Sequence, residues 1–132
     1  RRAVLEFGGR DVNGSIRSLF RDAASYLNVD RVQGRGVDIV SDASAFVPAA
    51  PPDTVVCCET LEHTEHAAEV CANAARILAP EGVFIVTAAS DPRPAHSGVD
   101  GGPIRLGEWY RNVSSGRLES WLRDAGFSRW RI

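Results

Sequence analysis

The stretch that decides the fold is "VLEFGGRDVNGSIR", Val4 to Arg17. A short apolar run meets two glycines and a polar loop. Asn13 or Ser15 can then cap a helix, with Gly14 relieving the turn. Strand, glycine loop and helix, in that order, often hold the phosphate or sugar end of a nucleotide cofactor. A glycine pair alone is a weak signal, so the elements that follow decide its meaning.

Downstream, apolar residues recur at Ile16, Leu19, Phe20, Ala23, Ala24 and Leu27, in steps of three and four that predict an amphipathic helix. "SYLNVD" (25–30) reads as a second strand ending in an acid, and "GVDIVSDA" (36–43) as a short third. Only "RVQGRG" separates them, so this crossover is abbreviated or irregular. "DTVVCC" (53–58) is the unbroken apolar run of a strand buried on both faces. Ala67, Val70, Cys71, Ala74, Ile77 and Leu78 mark a second helix, which "APEG" ends with a turn. "VFIVTAA" (83–89) is a further strand, and a polar loop rich in Pro and Gly runs from Ser90 to about Ser115. Leu118, Trp121, Leu122 and Ala125 give a third helix stopped by Gly126, and "FSRWRI" reads as a last strand. Strands alternating with helices imply an α/β fold, a three-layer, doubly wound and mainly parallel sheet. With no internal repeat or linker, residues 1–132 are expected to form a single domain.

The bulk composition narrows the function classes. The chain is 44% hydrophobic and 24% charged, as in ordinary globular proteins, and it contains no apolar run long enough to span a bilayer. The net charge is −2, and the basic residues, all arginine, are scattered, so no nucleic-acid footprint is visible. Cys57, Cys58 and Cys71 show neither a CxxC pair nor zinc-type spacing, and we expect reduced thiols in a cytoplasmic protein. The sequence opens with "RRAVLEF", almost inside a strand, so further residues are expected upstream.

In a doubly wound sheet, ligands sit beyond the carboxyl ends of the strands. Those ends here carry Glu6 to Gly14, Asp30, Asp42 with Ala43, Glu59 to His63, and Ala88 to Asp91. The acids outnumber the single loop cation, Arg10, which suits ribose hydroxyls and a positively charged group better than phosphates. Asp30 stands close to the spacing at which a strand-two carboxylate accepts hydrogen bonds from ribose.

"VLEFGG" with "NG", then "NVD", "VSDA", "DTVVCCETLEH", "NAARILAPEGVFIVTA" and "WLRDAGF" follow one another in an order that resembles the class I S-adenosylmethionine-dependent methyltransferases. Within them it resembles the broad group, methyltransferase type 11-like, with "LEH" after strand four. The resemblance spans roughly residues 3–128 and implies a Rossmann-like methyltransferase fold with S-adenosylmethionine as cofactor. It implies that Glu6 holds the methionine amino group and that Gly8 and Gly9 let the backbone approach the cofactor. Asp30 would then bind ribose, Asp42 and the backbone around Ala43 the adenine, and Glu59 the methionine end. The family's acid-x-Gly-x-Gly-x-Gly run is altered, with Arg10 and Val12 in place of glycines, so Gly14 arrives two residues late in a longer loop. The family's sheet also ends in an antiparallel hairpin, so a seventh strand is expected beyond Ile132 or is missing.

In "ETLEHTEH" (59–66), His63 and His66 with Glu62, Glu65 and Glu69 form a metal-like pattern, but acids are expected in a helix's first turn and we expect no metal site. His63 and His96 are the candidate bases, should the acceptor have to lose a proton. The long loop brings His96, Asp100, Glu108, Trp109, Tyr110 and Arg111 as material for a substrate pocket or lid. No G-x-S-x-G elbow supports hydrolase chemistry, and with no lysine there is no P-loop. The expected activity is methyl transfer to a small-molecule or glycan-like acceptor. The alternatives are a nicotinamide-dependent oxidoreductase, which needs a Gly-x-Gly-x-x-Gly turn, and a non-catalytic module of the same fold.

Overall fold

A computed structural model describes residues 2–132. Five parallel strands, β1 (Ala3–Phe7), β2 (Ser25–Asp30), β3 (Ile39–Val40), β4 (Thr54–Cys58) and β5 (Val83–Thr87), form one sheet in the order β3-β2-β1-β4-β5. The sequence moves from β1 outward to β3, then jumps back across β1 to β4, which places the topological switch point between β1 and β4. Val4 pairs with Thr54 and Phe7 with Cys57 there, and both strands are buried along almost their whole length. This is the double burial that an unbroken apolar run predicts for a parallel sheet.

Side-chain alternation sends Leu5, Phe7, Leu27, Val29, Val55, Cys57, Phe84 and Val86 to one face. Helices α1 (Ala67–Ile77) and α2 (Ser115–Asp124) cover that face, with Val70, Cys71, Ala74 and Ile77 facing the sheet. Ser114 caps α2 by accepting a hydrogen bond from the Arg117 N–H, and Gly126 follows the helix at φ 93°. Asn73 of α1 donates from Nδ2 to the Ala43 carbonyl at 2.7 Å and to the Phe46 carbonyl at 2.9 Å. One buried amide therefore ties the helix to the loop leaving β3.

The opposite face is thinner and carries Val4, Glu6, Tyr26, Asn28, Val56 and Ile85. The amphipathic helix expected from Ser15 onward is a 3-10 turn, Ile16–Phe20, with no buried residue. Ser15 caps it through the Arg17 N–H. The Ala24 N–H donates to the Arg2 carbonyl and commits the chain to β2, so Leu27 becomes a strand residue and the helix ends after one turn. Its Phe20 ring packs against Tyr26 with ring centres 5.7 Å apart. Farther along this face, Val83 and Ile85 stay 44% and 41% exposed.

Two other expectations are corrected. The third strand keeps only Ile39–Val40, because the Asp38 carboxylate takes the Asn28 N–H and Asp42 opens a turn that accepts from Ala45 and Phe46. "FSRWRI" forms no strand. Phe127 instead stacks on Phe84 at 5.6 Å, and Arg123 lies over Trp130 at 5.9 Å, so side-chain stacking holds the tail where ladder pairing was expected. The crossover from β2 to β3 is indeed irregular, with turns and no helix. No helix among the described residues is long and apolar enough to cross a membrane.

Removing the Asn73 amide leaves two carbonyls without their donor inside the protein. Asn73→Leu is therefore expected to lower stability by about 1–3 kcal/mol in urea unfolding, the cost of buried unsatisfied acceptors.

Candidate functional site

Gly8 leaves β1 at φ 71°, and its N–H donates to the Val29 carbonyl at 2.8 Å. A Cβ there would collide with Oγ1 and Cγ2 of Thr60, the second residue after β4. A Cβ on Gly9 would collide with the Glu6 carboxyl and come within 2.5 Å of Asn28 Oδ1. The two glycines thus let the β1 loop lie flat on its neighbours, at the switch point where such folds bind ligands. Gly14 (φ 132°) also needs glycine conformationally, but it is exposed and a Cβ there would meet nothing within 4 Å, so it lines no tight contact.

Glu6 is only 4% exposed and lies beneath this loop, where its Oε2 accepts the Tyr26 hydroxyl at 2.7 Å. Burial raises its pKa above the usual carboxylate value, outweighing the Tyr26 hydrogen bond and the nearby Arg17 charge. Asn28 donates to the Gly9 carbonyl at 2.6 Å and to the Gly36 carbonyl at 2.8 Å, while its Oδ1 is buried without a partner among the described residues.

At the tip of β2, Asp30 Oδ2 accepts the Arg10 N–H at 3.1 Å and Oδ1 the Val32 N–H at 2.9 Å. The carboxylate is held by one backbone donor on each oxygen and binds the β1 loop to β2. Asp42, beyond β3, accepts the N–H and hydroxyl of Ser44 on Oδ1, and these hydrogen bonds hold its pKa below the usual value. Its Oδ2 lies 4.0 Å from Arg31, next to Asp30. Glu6, Asp30 and Asp42 therefore occupy consecutive tips of β1, β2 and β3 with Gly8 and Gly9 between them and β4. Glu59, at the tip of β4, has φ 50°, an uncommon conformation for a side-chain-bearing residue. It accepts the Thr87 hydroxyl at 3.0 Å and pairs with Arg93 at 2.6 Å.

The long loop folds back over these tips. Arg10 donates to the Gly98 and Val99 carbonyls, and the Asn13 amide lies against Gly101. Three rings meet where the loop reaches the β4 tip. His63 and His96 are 4.9 Å apart between centres, His96 and Tyr110 4.9 Å, and His63 and Tyr110 5.3 Å. Burial, with His96 close by, lowers the His63 pKa, so its neutral form prevails near pH 7. Glu62 is fully buried beside them. Its Oε1 accepts the Ala89 N–H at 3.0 Å, and its backbone carbonyl takes the Arg111 N–H at 2.8 Å. A hollow of about 420 Å³ opens next to Tyr110, lined also by Asp91, Arg111, Asn112, Ser114 and Arg117.

The structure brings His63 together with His96 and separates it from His66, which stands at the N-terminus of α1 without a side-chain capping bond and faces Glu69 at 3.7 Å. Thr60, Asn28 and Arg93 were not singled out from the sequence. Asn28 had a local signal, a polar side chain inside the buried run of β2, whereas Arg93 in an irregular loop had none.

The sequence matches a family described as "Methyltransferase domain" over residues 1–131. No curated protein matches it. Among solved structures, it is similar to the Burkholderia thailandensis 1,6-didemethyltoxoflavin-N1-methyltransferase, determined with 1,6-didemethyltoxoflavin and S-adenosylhomocysteine bound. The TM-score is 0.65 at 18% identity, over 95% of this chain and 60% of that one. It is also similar to an S-adenosylmethionine-dependent methyltransferase from Clostridium acetobutylicum, with a TM-score of 0.66 at 14% identity, over 92% of this chain and 71% of that one. The chain thus spans less than two thirds of the first of these proteins and shares the Rossmann-like methyltransferase fold with both. By the match over nearly its whole length, this chain belongs to the methyltransferase-domain family.

Proposed function

We propose that residues 1–132 act as a single S-adenosylmethionine-dependent methyltransferase domain that methylates a small-molecule or glycan-like acceptor. The observation that carries this reading is the row of fixed carboxylates at the tips of β1, β2 and β3, wrapped around the Gly8–Gly9 turn. The donor set fits the cofactor. Asp30, with one backbone donor on each oxygen, keeps a further lone pair on each for two ribose hydroxyls. Asp42 and the backbone of Ala43 are assigned to the adenine. Glu6, beneath the loop, and Glu59 are assigned to the methionine end, Gly8 and Gly9 allow close backbone approach, and Gly14 gives the loop its turn. The toxoflavin ligand of the Burkholderia relative favours a small-molecule acceptor here.

A sulfonium methyl is already activated, so the protein's task is to align the acceptor and exclude water. The long loop, strapped over the β1 turn by Arg10, is suited to exclusion. His63 and His96 stand on the acceptor side, with the hollow beside Tyr110 as the recess for the acceptor. The three unpaired thiols agree with a cytoplasmic setting.

S-adenosylhomocysteine is expected to raise the melting temperature by several degrees, since ligand at a hundredfold its Kd adds about 2.7 kcal/mol. NADH is expected to leave it unchanged, and Asp30→Ala is expected to remove the shift. A melting temperature unmoved by S-adenosylhomocysteine contradicts the reading.

The raised pKa of Glu6 gives a second expectation. Because the folded state holds this proton more tightly than the unfolded chain, stability falls as pH rises from the unfolded value through the folded one. Glu6→Gln, which cannot ionise, should match the wild type in urea unfolding at pH 4 and gain on it by pH 8. Equal differences at the two pH values would show that the carboxyl ionises freely in the fold.

A further inference from the structure

Glu62, His63 and His96 each direct one ligand atom into a common space, all of these atoms lying within 4.8 Å of one another. We propose that this trio is a binding site for a divalent transition metal, with Zn²⁺ as the ion it best fits. The juxtaposition is made by the fold. Glu62 and His63 come from the short turn after β4, whereas His96 comes from the long loop after β5.

An independent observation points to a cation. Glu62 Oε2 is fully buried and has no hydrogen-bond partner among the described residues, while Oε1 takes the Ala89 N–H. An unpaired buried carboxylate oxygen is costly, and a bound ion removes that cost. The neighbouring guanidinium of Arg93 is already taken up by Glu59 at 2.6 Å, so it does not supply the missing charge.

The surroundings prepare the ligands. His96 Nδ1 lies 3.2 Å from the Pro94 carbonyl, and as a donor there it leaves Nε2 with its lone pair free. Such a bond to the non-ligating nitrogen is the usual support of a metal-bound histidine. Gly98 packs against the His63 ring, where a Cβ would stand 3.1 Å from Nδ1. Bonds of about 2.0–2.1 Å set tetrahedral ligand atoms about 3.3 Å apart, so closure draws together atoms that already lie within 4.8 Å of one another. Two imidazoles and one carboxylate favour transition ions over Mg²⁺ or Ca²⁺ and leave a coordination position open. The Tyr110 ring lies against both imidazoles, 5.3 Å from His63 and 4.9 Å from His96 between centres. On the methyl-transfer reading, the vacancy suits an oxygen of the acceptor, and the histidines then serve as ligands and not as free bases.

The test is titration of Zn²⁺ into the chelator-stripped protein by calorimetry, with the visible spectrum of the Co²⁺-loaded protein as a second readout. One Zn²⁺ per chain is expected, with Co²⁺ bands of a nitrogen and oxygen site and no thiolate charge-transfer absorption. His96→Ala, a loop substitution expected to keep the metal-free melting temperature, should weaken Zn²⁺ binding at least tenfold, and Glu62→Gln likewise. His66→Ala should leave it unchanged. No saturable binding, unchanged affinity in His96→Ala, an equal loss in His66→Ala or a thiolate band would each overturn the proposal. None of these readouts involves S-adenosylhomocysteine, so failure here is distinct from failure of the methyl-transfer reading.

Discussion

The contact on which the site depends is the approach of Thr60 to Gly8 across the switch point between β1 and β4. Its Oγ1 accompanies the backbone there, donating to the Cys58 carbonyl at 3.0 Å and reaching toward the Phe7 and Gly8 carbonyls. A side chain at position 8 would push the β1 loop away from the β4 tip, and positive φ already disfavours one. With glycine there, the loop turns flat toward β2, where Asp30 captures the Arg10 N–H. The turn and the carboxylate row are consequences of one close approach.

Two buried carboxyls flank this switch point and are handled differently. Glu6, on the thin face of the sheet, receives a phenol hydrogen bond from Tyr26, with Arg17 lying over the same ring at 4.9 Å. Glu62, on the β4 side, has a backbone donor on one oxygen only. Burial raises the pKa of both. Acids kept in such positions lower stability when ionised.

Where hydrophobic pattern and local chemistry agreed, the fold was legible. β1, β2, β4, β5 and α1 follow from apolar runs and helical spacing, and Gly126 marks the end of α2. The spacing of Ile16 to Leu27 misled because tertiary pairing at Ser25 to Asp30 overrode it. Tyr26, Asn28 and Asp30 are the period-two signal that competes there. "FSRWRI" has strand-like composition, but its aromatic residues are spent on stacking against Phe84 and Arg123. The acids Glu6, Asp30 and Asp42 could be ordered along the strand tips by topology alone. The meeting of His63 with His96 could not, because it depends on the path of an irregular loop fixed by contacts such as Arg111 to Glu62 and Val113 to Ala89.

On the proposed function, one rim, from Asp42 through Asp30 and Glu6 to Glu59, holds one adenosyl ligand. The most direct measurement is a crystal structure of the protein grown with S-adenosylhomocysteine. Ribose hydroxyls are expected on Asp30, adenine beside Asp42 and Ala43, and the amino-acid end near Gly8 and Gly9. A ligand lodged away from Asp30, for example in the hollow lined by Arg111 and Arg117, would contradict that reading.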